Sequence, residues 1–304
     1  MAENKKKKVR QYGVFFTPPM VVSLIIFSII LLAVIFAPLI APCDPNAMDL
    51  KAMLKGPSLE HFMGTDNSGR DVFSRLLYGG RTTLINAVLV VLISVVVGIP
   101  LGLMCGYFGG RFDALVMRVW DVVLCFPSLL LSFIFVAAFG KGQYTAVLAM
   151  GIVYIPMISK LSRSLAMTES TKTYVELAHS LGYSDWRIIF VHILPNCLPT
   201  MLAELTLDVG SAIKGLASLS FLGLGVQPPT SDWGSMLQEG LALIQRTPYV
   251  ALAPSITIVL TVISINVLSD NIQMYFDPTQ RKLPSLKKLE KLEKFNVKET
   301  EANG

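Results

Sequence analysis

Six stretches of the chain, residues 20–41, 84–105, 120–139, 144–160, 200–222 and 250–272, are dominated by apolar side chains. A hydrocarbon core about 30 Å thick takes about 20 helical residues to cross, and within it backbone polar groups must bond inside the chain. The runs therefore predict an all-α, polytopic membrane protein with six transmembrane helices, the fourth being the shortest. Gly98, Pro100 and Pro127 interrupt the second and third runs, which bundled helices tolerate when neighbours satisfy the freed backbone groups. At 53% hydrophobic and 15% charged residues, the chain has too little polar surface to cover a soluble domain of 304 residues. The basic "KKKK" at Lys5 to Lys8 resembles the start of a signal peptide, but the run from Val21 to Ile40 is too long for a signal core. It reads as a retained anchor helix.

Lys and Arg concentrate in cytoplasmic loops, so their distribution predicts orientation. With the N-terminus inside, 18 of the 26 Lys and Arg fall in inside segments (1–19, 106–119, 160–199, 273–304) and 7 outside, with Lys214 within a span. Both termini are expected in the cytosol, and the +5 net charge reflects topology rather than nucleic-acid binding. The four cysteines form no CxxC pair, and Cys43 stands alone outside, so no disulfide framework is expected.

The chain divides into a basic N-terminal segment (1–19), a first helix with its outer loop (20–83), a core (84–276) and a charged cytoplasmic tail (277–304). In the outer loop, Arg70, Asp71, Arg75 and Arg81 alternate with Val72, Phe73, Leu76 and Leu77, a helical stripe. This predicts an amphipathic lead-in at the membrane face, or a solvated loop with one short helix. The loop 223–249 predicts a short helix from Trp233 to Ile244, with Trp233 and Tyr249 in an interfacial aromatic belt. In the tail, "LKKLEKLEKF" reads as a charged surface helix or a disordered end, with contact to anionic headgroups as the alternative.

Between the fourth and fifth runs lies a polar stretch, about residues 165–196. Leu165, Met167, Tyr174, Val175, Leu177, Ala178 and Leu181 recur at near-helical spacing and end at Gly182, a C′ position. Ser184 and Asp185 offer an N-cap for a second short helix, which Pro195 is expected to stop. Nothing here pairs a nucleophile with a base. A helix, glycine turn and helix held along the membrane suits docking, with small Ala178 and flexible Gly182 admitting another surface and Glu176 offering a carboxylate.

The pattern Glu176, Ala178, Gly182 followed by Ile193, Leu194 and Pro195 resembles the EAA loop of bacterial ABC importer permeases. The stretches "GTDNSGRDVFSRLLYGGRTTL", "GYFGGRFDALVMRVWDVVLCFPSLLL", "LGYSDWRIIFVHILPN" and "LSFLGLGVQPPTSDWGSML" resemble the C-type permease of dipeptide, oligopeptide and nickel importers, over about residues 15–282. The resemblance implies a bacterial cytoplasmic membrane and a heterodimer with a second, similar permease. It further implies two ATP-binding subunits in the cytosol and an extracytoplasmic solute-binding protein facing "QPPTSDWG". Tyr174, Glu176, Ala178, Gly182, Ile193, Leu194 and Pro195 would form the ATPase-coupling loop. The chain departs from the family pattern at Leu177, where a second alanine is usual, at Leu216, where many relatives carry Glu, and at Ser269-Asp270, where "GD" is common.

No phosphate-cradling loop ending in GK[ST] is present, so ATP would be bound by partner subunits, and the chain is read as a transport subunit without enzymatic activity or cofactor. His61, His179 and His192 lie apart, without metal-ligand spacing. Glu204, Asp208 and Lys214 fall within the fifth run, where a charge is costly unless it faces protein or water. Asp208, Lys214 and Ser220 are candidates to line the pathway, with a structural pair or snorkelling as the other reading. Ser220 to Gly225, "SFLGLG", reads as hinge or as packing. The expected function is ATP-driven import of short peptides. Alternatives are nickel or metal-chelate uptake on the same architecture, and an ion-coupled secondary transporter relaying through Asp208 and Lys214.

Overall fold

Residues 18–276 are described by a computed structural model; residues 1–17, which hold the basic stretch, and the charged tail, 277–304, fall outside the described residues. The first run forms α1, Pro18–Ile35, followed after a break at Phe36 by the single turn α2, Ala37–Ile40. The second forms α3, Val72–Phe108, of 37 residues. The third divides into α4, Gly110–Leu124, and α5, Ser128–Phe139. The fourth becomes α6, Gln143–Ser170, after which come the short α7, Thr173–Ser180, and the long α8, Asp185–Phe221. A short α9, Trp233–Leu241, precedes α10, Pro248–Phe276.

Five of these helices are long and apolar enough to cross a membrane, and a sixth crossing exists only if α4 and α5 count as one span. That pair is bent by 87° at the Pro127 interruption, as one broken span or a re-entrant loop. The cause is local. Pro127 holds an extended backbone (φ −55°, ψ 129°) and caps α5. Before it, α4 carries Asp113 and Asp121, which pair with Arg163 and Lys160 of α6, while the Trp120 indole donates to Ser159 Oγ. The fourth run, the shortest in sequence, continues through Lys160 and Arg163 to Ser170 because α4 supplies those carboxylates.

The expected lead-in at the membrane face is also corrected. Residues from Val72 onward are the first turns of α3 itself, capped by Asp71, whose carboxylate accepts the Ser74 N–H at 2.7 Å. Arg75 points into protein and is 2% exposed. Its guanidinium bonds Asp66 at 2.5 Å and Glu239 of α9 at 2.6 Å, and Arg70 bonds the same two carboxylates at 2.8 and 3.0 Å. Two cations and two carboxylates thus tie the loop before α3 to α9 at the far end of the bundle.

Trp233 is fully buried there and not in an interfacial belt. Its indole N–H donates to Leu76 O at 3.0 Å, and its ring packs with Val34, Val72, Leu76, Met236 and Val250. The helix it opens stops at Leu241, three residues short of expectation, and starts on a reciprocal cap between Asp232 and Ser235.

The most extensive pairing in the bundle is α3 against α6. Gly98, Gly102 and Gly106, one turn apart on α3, face α6 so closely that an added Cβ would sit 3.1 Å from Ile158 Cγ2 and 2.7 Å from Ser162 Cβ and Ala166 Cβ, respectively. Where lipid is as apolar as the side chains, such close backbone approach supplies the packing that holds helices together. A central core from α3, α6 and α8 (Val90, Met150, Ile213, Leu219) lies between the far-end cluster and a third cluster that supports α7.

Candidate functional site

The α7 loop is built on that third cluster. Val175 and Ala178 point inward and are buried with Leu103 of α3, Ile158 of α6, and Ile188, Ile189, Ile193 and Cys197 of α8. Small Ala178 therefore admits the close approach of the chain's own α8, in place of the outside surface expected from sequence. Tyr174, beside it, donates its hydroxyl to Glu169 at 2.8 Å. Burial, together with the Glu169 carboxylate, pushes its phenol up to about 12, so it remains a donor at neutral pH.

Gly182 ends α7 with φ +77°, the left-handed region that favours glycine, and its N–H donates to His179 O at 2.9 Å. Tyr183 N–H returns to Ala178 O, closing the turn. No atom lies within 4 Å of where a Gly182 side chain would begin, so the backbone angle is what calls for glycine.

Pro195 does not stop the next helix. It is exposed, two residues after a widened turn at Ile188–Ile193, at whose end Leu194 N–H reaches back five residues to Ile189 O. With the turn widened just before the ring, α8 runs unbroken from the loop into the membrane span. Ile193 is buried and Leu194 half-buried, so both belong to the support beneath α7. With its inner face fixed, the loop presents Glu176, Leu177, Leu181 and Trp186, the last three 59, 63 and 56% exposed. Large apolar side chains thus stand in the open beside a carboxylate, on a buried base, as an exposed knob.

Farther along α8, Asp208 is buried and Glu204 half-buried, while Lys214 is exposed. Lys214 borders a groove of about 440 Å³ with Ala217, Ser218, Phe221, Leu222, Leu237 and Ile258. Among the described residues no ion pair includes Asp208, Glu204 or Lys214. Ser220 is 2% exposed, and its Oγ accepts the Val226 N–H at 3.2 Å, bracing the turn after α8. Of the three pathway candidates, Lys214 borders this groove and Ser220 lines a separate small pocket with Thr83, Asn86 and Asp232. Among the described residues no group of His, Cys, Asp and Glu is placed to hold a metal ion.

Sequence reasoning missed the Asp66, Arg70, Arg75 and Glu239 cluster, because Glu239 joins from 164 residues beyond Arg75. The charged residues among apolar ones before α3 were the available signal.

The family profile for the binding-protein-dependent transport system inner membrane component matches residues 98–282, and the N-terminal transmembrane domain of oligopeptide transport permease C matches 18–57. The chain is 40% identical, over 86% of its length and 88% of the relative, to the probable D,D-dipeptide transport system permease protein DdpC of Escherichia coli. It is 40% identical, over 83 and 85% of the two chains, to the glutathione transport system permease protein GsiD of Pectobacterium atrosepticum. To the dipeptide transport system permease protein DppC of Alkalihalophilus pseudofirmus it is 38% identical over 86% of each. Its fold is similar to a chain of the MetNI methionine ABC transporter in inward-facing conformations, with TM-score 0.54 and 17% identity over 67% of this chain and 96% of that one. The chain belongs to the family of binding-protein-dependent transport system inner membrane components, the membrane-embedded, non-enzymatic permease subunits of ABC transporters.

Proposed function

We propose that this permease carries short peptides inward across a bacterial cytoplasmic membrane, driven by two partner ATPase subunits that seat on α7 and its turn. The observation that carries the reading is the knob of Glu176, Leu177 and Leu181. It stands on a buried cluster drawn from α3, α6 and α8, so a displacement of α7 reaches three long helices together. Nucleotide-driven approach of the ATPases would then switch the bundle between inward- and outward-open arrangements.

The relatives above are named for D,D-dipeptide, glutathione and dipeptide transport, which supports a peptide cargo; none of these three is named for nickel. A second permease completes the pathway beside the Lys214 groove, and a solute-binding protein delivers cargo at the far end. The concentration of Lys and Arg in the loops on the α7 side supports cytoplasmic termini.

The test is co-purification of the cognate ATPases with Leu181→Asp and Glu176→Lys variants, alongside uptake of labelled dialanine and glutathione by the assembled importer. Placing a charge where an exposed leucine meets an apolar cleft is expected to weaken ATPase binding by about tenfold or more, with unfolding of the chain unchanged. Full ATPase retention in both variants would refute the docking site. Failure of both peptides to enter would refute the cargo.

A further inference from the structure

The side chains of three separate elements meet beside α7. Tyr107, the next-to-last residue of α3, places its hydroxyl 2.7 Å from His179 Nε2 of α7 and 2.8 Å from Asp185 Oδ1, at the first residue of α8. Its ring stacks on the His179 imidazole, with centroids 5.9 Å apart and planes 11° from parallel. The group borders an open cavity of about 340 Å³ shared with Phe108, Ser170, Val175 and Glu176.

Donor counting gives the chain of bonds a direction. An ionised carboxylate only accepts, and a phenol has one proton. Tyr107 therefore donates to Asp185 and accepts from His179, whose hydrogen sits on Nε2. Both the neutral tautomer with that hydrogen and the imidazolium satisfy the arrangement. The Gly182 turn returns the chain from α7 to α8, but nothing in the backbone ties α7 to α3.

We infer that Tyr107, His179 and Asp185 form a polar joint that, beside the apolar contact of Val175 and Ala178 with Leu103, fixes α7 and the start of α8 to the end of α3, so that a push on the knob moves α3 as well as α8. This rests on the docking role proposed for α7. It makes the three positioning residues of the transport cycle: they touch neither nucleotide nor cargo. The remote end of α3 carries Arg75, so the same helix that receives the push also carries one member of the far-end ion cluster. At about 1.5 Å per helical residue, the stretch of α3 from Arg75 to Tyr107 spans roughly 48 Å.

The test uses the complete importer, this chain with its cognate permease, ATPases and binding protein, in proteoliposomes with labelled dialanine. Tyr107→Phe keeps the ring stack and removes only the hydroxyl. It is expected to leave ATPase co-purification intact and to lower dialanine moved per ATP hydrolysed by about fivefold, the scale of one ordinary hydrogen bond. Asp185→Leu, which leaves the bond to His179, should lose no more than Tyr107→Phe, and Tyr107→Phe with Asp185→Leu should be no worse than Tyr107→Phe alone, since that change already removes both bonds of the hydroxyl. Asp185→Asn, whose amide oxygen still accepts from the phenol, should restore most of the coupling.

Independently of any cargo, amide exchange over residues 173–183 should rise about tenfold in Tyr107→Phe. Wild-type transport stoichiometry in Tyr107→Phe, or losses that multiply in the double variant, would overturn the joint. Unchanged amide exchange would overturn it even with an importer that carries no dialanine. Loss of ATPase binding by Leu181→Asp, or its absence, reports on the docking role separately.

Discussion

Substituting Gly102 by valine is expected to prevent α3 and α6 from pairing, giving a chain that expresses poorly and elutes from size exclusion as aggregate. A Cβ there would lie 2.7 Å from Ser162 Cβ and 3.0 Å from Arg163 N, and would press on the Ser159 carbonyl oxygen. Backbone atoms cannot rotate away as a flexible side chain can, so the two helices would have to separate. Overpacking commonly costs about 1–3 kcal/mol where side chains can shift, and a helix pair forced apart along its length exceeds that range. The flanking contacts at Gly98 and Gly106 would be lost with it. Gly56→Ala, where no atom lies within 4 Å of the new methyl group, is the matched control, expected within about 0.5 kcal/mol of the parent. Thermal unfolding in detergent compares the two. A Gly102→Val chain as stable as the control would show that α3 and α6 do not approach as closely as described.

The second large effect is expected at Asp66. Its side chain is 0% exposed; Oδ2 accepts from Arg70 and Arg75 at once, while the other carboxylate oxygen, Oδ1, receives the Ser68 and Arg70 N–H groups. Asp66→Ala leaves two nearly buried guanidinium groups sharing Glu239, whose side chain is 21% exposed. Arg75 Nε already lacks a partner, so the cluster has no spare acceptor. Removing one partner from such a network costs about 3–5 kcal/mol, since the remaining charge stays desolvated and uncompensated. By comparison, Asp121→Ala, which removes the partner of exposed Lys160, should cost less than about 1 kcal/mol. Comparable melting shifts for the two would mean that the far-end cluster is as solvent-accessible as the surface pair.

The runs of apolar residues made the all-α membrane architecture legible, because a helix in lipid must satisfy its backbone internally and the length needed is fixed by the bilayer. Their boundaries were less legible, and for one recurring reason. α3 begins twelve residues before its apolar run, and α6 extends ten beyond its own, because partners remote in sequence neutralise their charges: Glu239 for Arg75, and Asp113 and Asp121 for Arg163 and Lys160. A window that counts charge as a stop signal cannot see a pairing made by folding.

The α7 loop shows the same contrast. Gly182 at the end of α7 was readable, since a left-handed turn has a local residue preference. The inward direction of Ala178 was not, because both faces of an eight-residue helix carry apolar side chains: Val175 and Ala178 within, Leu177 and Leu181 without. Pro195 misled because the helix, widened by a turn just before the ring, continues past it, a compensation with no signature of its own. The buried state of Trp233 depends on Leu76 O and the bare backbone of Gly80, both supplied by another helix.

The most direct measurement is solute accumulation in proteoliposomes of two kinds, one containing this chain by itself and one containing it with its partner permease and ATPase subunits, each loaded in turn with ATP and with an imposed proton or sodium gradient. A bundle that takes its motion from motors docked on Glu176, Leu177 and Leu181 should accumulate labelled peptide only in the assembled vesicles, only with ATP, and with the binding protein present. Gradient-driven peptide uptake by the solitary chain would contradict it, and would return Asp208 and Lys214 to the role of an ion relay.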